Sequence, residues 1–146
     1  MYCIDASVFI NAEIEGEEFH EHSAKLMQNI RDRGITIIVP EIVLPEISSA
    51  IARGTDDPEN AIEFIKELKQ IPNIVFVPID RELADNASQL AAEYRLRGCD
   101  AIYVAVASLF RAKLISLDKQ QIERAAECIE TAKPQEEVKN FNKHIR

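Results

Sequence analysis

The sequence predicts a single α/β domain with a central parallel sheet of four to five strands and helices on both faces. Short apolar runs alternate along the chain with longer segments whose apolar residues recur at helical spacing. Alternation of this kind is typical of right-handed crossover connections, which build a parallel sheet. The chain has 146 residues, of which 47% are hydrophobic, so one domain can bury a substantial core.

The predicted strands are short apolar runs, and the second is β-branched throughout. The first ends at Asp5 and the fourth ends at Asp118. The third contains Pro78, which lacks a backbone N–H and therefore favours an edge of the sheet. The predicted strands are residues 2–4, 35–39, 74–79, 114–117 and, as a short fifth strand, 128–131.

Amphipathic helices are predicted between the strands, because the apolar residues of these segments share one face. Gly34 is suited to end the first helix and Pro58 to begin the third. Asp80 is suited to cap the fourth. The predicted helices are residues 19–33, 41–53, 58–70, 80–97, 100–110 and 119–127. We assign residues 1–131 to the domain and interpret residues 132–146 as a polar, mobile C-terminal tail.

The helix that follows Asp100 is apolar on nearly every side between residues 101 and 107. A helix of this composition lies in the core, so Asp100 sits at the mouth of a buried helix. Its carboxylate either caps the helix by accepting backbone N–H groups or faces a site that contains cations. The residues around Asp100 leave both explanations open.

Three further acids can reach the same crevice as Asp100. Asp5 and Asp118 follow strands, and the binding crevice of an open parallel sheet lies at the carboxyl ends of its strands. Glu46 lies close to the apolar face of a predicted helix. Each also has a structural alternative: an Asx turn at Asp5, a solvated helix position at Glu46, and a capping box of Asp118 with Gln121.

Crowded carboxylates repel one another, and at about 4 Å two like charges cost on the order of 4 kcal/mol at an intermediate dielectric. A fold retains such a group where a cation neutralises it. Oxygen ligands without nearby Cys or His favour the hard cations Mg²⁺ and Mn²⁺. Such ions lower the pKa of a bound water and stabilise displacement at phosphorus. Asp80 follows a strand as Asp5 does, and spacing alone does not exclude it from such a site.

The formal net charge of −8 argues against binding of nucleic acid by the surface as a whole, since Lys and Arg drive phosphate binding. A pocket in which several acids bind divalent metal would still attract phosphate, because each ion returns two positive charges. The basic residues form local groups that are either solvated helix faces or phosphate contacts. These groups are Arg31 with Arg33, Arg95 with Arg97, Arg111 with Lys113, and Lys139, Lys143, His144 and Arg146 near the C-terminus.

The composition favours a cytoplasmic protein without a membrane partner. Its three cysteines, Cys3, Cys99 and Cys128, are odd in number and lack CxxC spacing, so we expect reduced thiols. No apolar run reaches the length of a membrane span. The N-terminal residues lack the basic and apolar regions of a signal peptide.

Four segments resemble the ordered motifs of a PIN domain, and the likeness is greatest to the VapC-like toxin branch. These segments are residues 4–8, 40–46, 98–105 and 117–119, and the resemblance extends over residues 1–131. It implies a single PIN-like domain with a metal-dependent ribonuclease fold. It further implies that Asp5, Glu46, Asp100 and Asp118 are the catalytic acids and that Asp80 is not one of them. Asp5, Asp100 and Asp118 are implied as metal ligands.

Two serines match small hydroxyl positions that support the site in this family: Ser7 in the first motif and Ser116 before Asp118. One departure concerns the second acid that some members carry after the fourth motif, because Asp118 is followed here by Lys119 and two glutamines. Fewer ligands would then hold the metal. The acidic segment 13–18 is a second departure, and we expect it to lie beside the crevice and restrict access.

The resulting prediction is an endoribonuclease that hydrolyses single-stranded or loop RNA with Mg²⁺ or Mn²⁺. Arg95 and Arg97 are predicted to contact RNA phosphates. The family likeness implies a homodimer and, for a toxin, a small antitoxin protein that inserts a basic side chain among the acids. An alternative within the fold is an RNA-processing or RNA-binding protein with weak or no catalysis.

An aspartate-based phosphatase or phosphotransfer domain is a further alternative. Such phosphatases carry a second aspartate two residues after the nucleophile, and Ser7 occupies that position here. Neither GxxxxGK[ST] nor GxGxxG occurs, which disfavours the common nucleotide-binding α/β enzymes.

Overall fold

The computed structural model describes residues 1–143. Five strands form one sheet in which every pairing is parallel. The strands are β1 (Tyr2–Ile4), β2 (Ile37–Pro40), β3 (Ile74–Val77), β4 (Lys113–Ile115) and β5 (Thr131–Ala132). Their order across the sheet is β3-β2-β1-β4-β5. This arrangement confirms the predicted parallel sheet, and it places β3, which directly precedes Pro78, at an edge as expected.

Eight helices flank the sheet within the described residues. They are α1 (Ala6–Glu13), α2 (His20–Asp32), α3 (Val43–Thr55), α4 (Pro58–Lys69), α5 (Arg81–Tyr94), α6 (Gly98–Phe110), α7 (Lys119–Ala125) and α8 (Pro134–Lys143). The predicted helix over residues 80–97 is shorter than expected. It ends at Tyr94 because Arg95 adopts a left-handed conformation with φ of 56°.

Helix α6 is buried as its apolar composition predicts. Tyr103, Val104 and Val106 are at most 1% exposed, and the helix packs against β1, β2 and β4. Each fully buried side chain of this size contributes about 1.5–3 kcal/mol by leaving water. The helix is therefore fixed against the central strands, and its first turn is held at their carboxyl ends.

The register between β1 and β4 aligns the two predicted aspartate positions. Ile4 pairs with Ile115, and the next backbone N–H, that of Asp5, donates to the Ile115 carbonyl at 2.9 Å. Both strands end at this level. Consequently the segments that leave them, which carry Asp5 and Asp118, emerge side by side.

The segment predicted as a polar, mobile tail differs from that expectation. Helix α8 packs against α2, and Glu137 and Phe141 are buried. Local composition did not reveal this helix because the groups that hold it come from distant parts of the chain. The predicted basic residues His144 and Arg146 lie outside the described residues.

No helix among residues 1–143 has both the length and the apolar character needed to cross a membrane.

Candidate active site

A cleft of about 610 Å³ opens at the carboxyl ends of β1 and β4. Asp5, Ser7, Glu46, Arg97, Asp100 and Asp118 are among its lining residues. The structure therefore brings together the four acids that the sequence singled out. Asp80 does not line the cleft; its Oδ1 accepts from the Leu83 backbone N–H at 2.9 Å and caps α5.

The carboxylate of Asp5 caps a helix, and the residue also lines the cleft. Its Oδ2 accepts from the Ser7 backbone N–H at 2.9 Å, which caps α1. Its Oδ1 accepts from Gln121 Nε2 at 3.4 Å. The residue is 8% exposed. Burial raises the pKa of its carboxyl group, the hydrogen bonds from Ser7 and Gln121 oppose the rise, and the charge of Asp118 adds to it.

Asp118 is held in place by the turn that follows β4. Its Oδ1 accepts from the Gln121 backbone N–H at 3.0 Å and caps α7. Ser116 Oγ accepts from the Asp118 N–H at 3.0 Å, and Ser7 Oγ accepts from the Leu117 N–H at 3.2 Å. Both predicted serines thus fix the backbone around Asp118. The buried Gln121 side chain bonds to Asp5, which is not the reciprocal contact of a capping box.

Asp100 lies in the first turn of α6, and the N-cap residue is Arg97. The Asp100 carboxylate accepts from Arg97 Nε at 3.0 Å. Burial raises the pKa of this carboxyl group, as do the charges of Asp118 and Asp5, whereas Arg97 lowers it. Asp100 is therefore not the N-cap residue of α6, and the partner of its carboxylate in the described chain is the Arg97 guanidinium group.

Glu46 belongs to the first turn of α3 and is half-buried. Tyr103, one turn after Asp100 on α6, donates its hydroxyl hydrogen to Glu46 Oε1 at 2.8 Å. Burial raises the pKa of the Glu46 carboxyl group, the charges of Asp5 and Asp100 raise it further, and the bond from Tyr103 lowers it.

Tyr103 was not identified as a site residue from the sequence. A signal was nevertheless present, since a tyrosine inside a wholly buried helix needs a partner for its hydroxyl group. The two side chains lie 57 positions apart in the chain, so no local pattern names Glu46 as the partner.

Arg97 bridges two of the acids. It contacts Asp100 through Nε and Asp118 through Nη2. Arg95 does not line the cleft; it ends α5, and its carbonyl accepts from the guanidinium group of Arg124. The two arginines that were predicted together as RNA contacts therefore occupy different surroundings.

The acidic segment 13–18 does not line the cleft. Glu13 instead borders a smaller cavity with Met27 and Phe64. The expectation that this segment restricts access to the crevice receives no support from the lining.

The donor chemistry of the cleft suits a hard divalent cation. Four carboxylates line it, and their mutual repulsion contributes to the raised pKa values of Asp5, Glu46 and Asp100. Oxygen ligands of this kind favour Mg²⁺ or Mn²⁺. In residues 1–143, however, no three Asp, Glu, His or Cys side chains are grouped closely enough to hold an ion as they stand. Arg97 supplies the positive charge between two of the acids.

The family model of the PIN domain matches residues 2–127, so the chain belongs to the PIN domain family. The match confirms the resemblance seen in the four motifs. No curated protein sequence matches the chain.

Solved structures share the fold at low sequence identity. VapC20 of Mycobacterium tuberculosis, a toxin that cleaves the sarcin–ricin loop, is 14% identical with a TM-score of 0.71, over 88% of this chain and 96% of that one. A toxin–antitoxin complex from Klebsiella pneumoniae is 18% identical with a TM-score of 0.65, over 92% and 98%. PAE2754 from Pyrobaculum aerophilum is 17% identical with a TM-score of 0.67, over 97% and 94%.

Proposed function

We propose that this PIN-domain protein is a metal-dependent endoribonuclease and the toxin of a toxin–antitoxin pair. The observation that carries the proposal is the meeting of Asp5, Glu46, Asp100 and Asp118 in one cleft. Four acids from separate elements create repulsion that a fold retains when a cation relieves it. The similar structures include toxins and toxin–antitoxin complexes, which supports the same assignment.

In this proposal Asp5, Asp100 and Asp118 would hold Mg²⁺ or Mn²⁺. Such an ion, when bound, neutralises charge on the phosphate and lowers the pKa of a water molecule. Ser7 and Ser116 keep the Asp118 backbone in position through their hydrogen bonds to residues 117 and 118. Glu46, oriented by Tyr103 and with a raised pKa, would accept a proton from the attacking water.

Arginine contacts would place the RNA. Arg97 lies in the cleft and is exposed, so it would turn to a phosphate once released from Asp100 and Asp118. Arg95 would contact RNA outside the cleft. A homodimer and a small antitoxin partner belong to the same proposal. Arg97 contacts two cleft acids, so a guanidinium group fits between these carboxylates. This supports a partner that inserts a basic side chain into the cleft, as is proposed for the antitoxin.

RNA cleavage tests the proposal. A mixed-sequence single-stranded RNA is incubated in Mn²⁺ with the wild type, with Asp100→Asn and with Asp80→Asn as the matched control. Asp80 also follows a strand and caps a helix, and Asn caps equally well. We expect the wild type and Asp80→Asn to cleave, and we expect EDTA or Asp100→Asn to lower the rate at least about 100-fold. Cleavage by Asp100→Asn at the wild-type rate would refute the assignment.

A second candidate is a PIN-fold RNA-binding protein with weak or no catalysis. Two observations support it. No three metal-ligating side chains are grouped within residues 1–143, and Arg97 forms ion pairs with both Asp100 and Asp118. RNA binding without Mn²⁺ binding and without cleavage would favour this candidate.

A further inference from the structure

Arg53 differs from Arg97 in how its charge is engaged. Both line the cleft, but Arg97 pairs with Asp100 and Asp118. Arg53 is exposed, and no carboxylate among residues 1–143 lies within ion-pairing distance of it. Its Nε donates to the Ser49 carbonyl of its own helix at 3.4 Å, which is long for a hydrogen bond. Arg53 therefore lines the cleft without a carboxylate counter-ion in the described chain.

The position of Arg53 on α3 relates it to the carboxylates. Glu46, Ser49, Ala50 and Arg53 all line the cleft, and their spacing of three, four and seven residues places them on one helix face. Seven residues correspond to about 10 Å along the axis. The two positions between the charged residues carry the small side chains of Ser49 and Ala50. Helix α3 thus forms a wall with an acid at one end, a cation at the other and little bulk between them.

We propose that Arg53 binds a backbone phosphate of the RNA that neighbours the phosphate held at the four carboxylates. The inference rests on the proposed function, since it takes RNA as the ligand of the cleft. The net charge of −8 repels a polyanion from most of the surface. A positively charged side chain in the cleft that has no carboxylate partner therefore contributes a large part of the affinity for RNA. The planar guanidinium group donates two parallel N–H bonds to phosphate oxygens, which also fixes the direction of the strand.

The test measures binding separately from cleavage. The probe is a short fluorescein-labelled single-stranded RNA of mixed sequence, and its anisotropy is followed in Ca²⁺ and again in EDTA over a range of salt concentrations. The variants are Arg53→Gln, Arg53→Lys and, as the matched control, Arg31→Gln. Arg31 is also an exposed arginine in the last turn of a helix, but it lies outside the cleft. Thermal unfolding verifies that each variant is folded.

Arg53→Gln is expected to weaken RNA binding roughly tenfold at low salt. The slope of log affinity against log salt concentration should become shallower by about 0.7, the value for one phosphate contact on a single strand. Arg53→Lys should keep the slope and lose part of the affinity, and Arg31→Gln should resemble the wild type. The inference is overturned if Arg53→Gln behaves as Arg31→Gln does, or if the wild type binds no RNA in either buffer.

The outcome is distinguishable from that of the proposed function. If the wild type binds but does not cleave, and Arg53→Gln still loses affinity and salt slope, the phosphate contact stands and the ribonuclease proposal fails. If the wild type cleaves and Arg53→Gln retains both affinity and slope, only the phosphate contact fails. If Arg53 only stabilises the C-terminal end of α3, Arg53→Gln should lower the unfolding temperature and leave the salt dependence of RNA affinity unchanged.

Discussion

The guanidinium group of Arg97 bridges Asp100 and Asp118, two of the three proposed metal ligands. Burial raises the pKa values of Asp5, Glu46 and Asp100, and the charges of neighbouring cleft acids add to each rise. A guanidinium group in contact with two of the cleft acids relieves part of their repulsion. If Asp100 and Asp118 are metal ligands, Arg97 and the metal ion compete for the same oxygen atoms.

Replacement of Arg97 by Gln should therefore strengthen Mn²⁺ binding on the order of tenfold, because a competing positive charge beside the site is removed. Isothermal titration calorimetry of the purified protein measures this affinity. Arg95→Gln is the matched control, since it removes the same charge outside the cleft. Weaker Mn²⁺ binding by Arg97→Gln would contradict the expectation and would mean that Arg97 orders the acids for the metal.

At the scale of elements, the buried carboxylate of Glu137 connects α8 to the sheet. Glu137 is 4% exposed and accepts from Tyr2 Oη at 2.7 Å, from Lys113 Nζ at 3.2 Å and from Asn140 Nδ2 at 3.1 Å. Phe141 packs near the Tyr2 ring. These partners belong to β1, β4 and α8, so the network connects the C-terminal helix to the two strands whose opposite ends lead to the cleft.

Glu137→Gln should lower the free energy of unfolding by about 2 kcal/mol at neutral pH, because charge-assisted hydrogen bonds are lost. Burial alone would raise the pKa of Glu137, but its bonds to Tyr2, Asn140 and Lys113 hold it below the usual value. A depressed pKa stabilises the fold above the unfolded-state pKa of about 4.3. That stabilisation is lost as the pH falls through the folded-state pKa.

Urea unfolding at a series of pH values measures this effect. The difference between the wild type and Glu137→Gln should shrink below the unfolded-state pKa, since a protonated Glu resembles Gln. Glu136→Gln is the control because Glu136 precedes Glu137 on the same helix and is exposed, and the amide oxygen of Gln can still accept the hydrogen bond that Glu136 Oε2 takes from the Lys133 N–H. A difference that stays constant with pH, or an equal loss in Glu136→Gln, would show that the charge of Glu137 does not hold α8.

At the scale of the whole molecule, the sequence predicted the alternation of strands and helices because each short strand is apolar and each helix carries a periodic face. The meeting of Asp5 and Asp118 followed from the parallel sheet, since both residues end strands that prove to be neighbours. The distinction between Asp80 and these two acids depended on the family resemblance. Structure adds its reason: β3, which precedes Asp80, lies at the edge of the sheet.

Contacts between distant residues could not be predicted from local patterns. The bond from Tyr103 to Glu46 and the bridge from Arg97 to Asp118 join positions 57 and 21 residues apart. Helix α8 was missed for the same reason, because its composition is polar and its stabilising partners Tyr2 and Lys113 lie far away in the chain. Whether Arg53 forms an ion pair depends on which acids the fold brings near it, and local sequence patterns do not predict this.

Titration of the wild type with Mn²⁺, in parallel with Asp5→Asn, Asp100→Asn and Asp80→Asn, tests the central claim most directly, since the claim is that the cleft acids form one cation site. Isothermal titration calorimetry gives the affinity of each protein, and thermal unfolding verifies the fold. The wild type and Asp80→Asn should bind Mn²⁺ alike, while Asp5→Asn and Asp100→Asn should bind at least about tenfold more weakly, because each loses a charged ligand. Equal affinity in all four proteins, or no Mn²⁺ binding by the wild type, would contradict the claim.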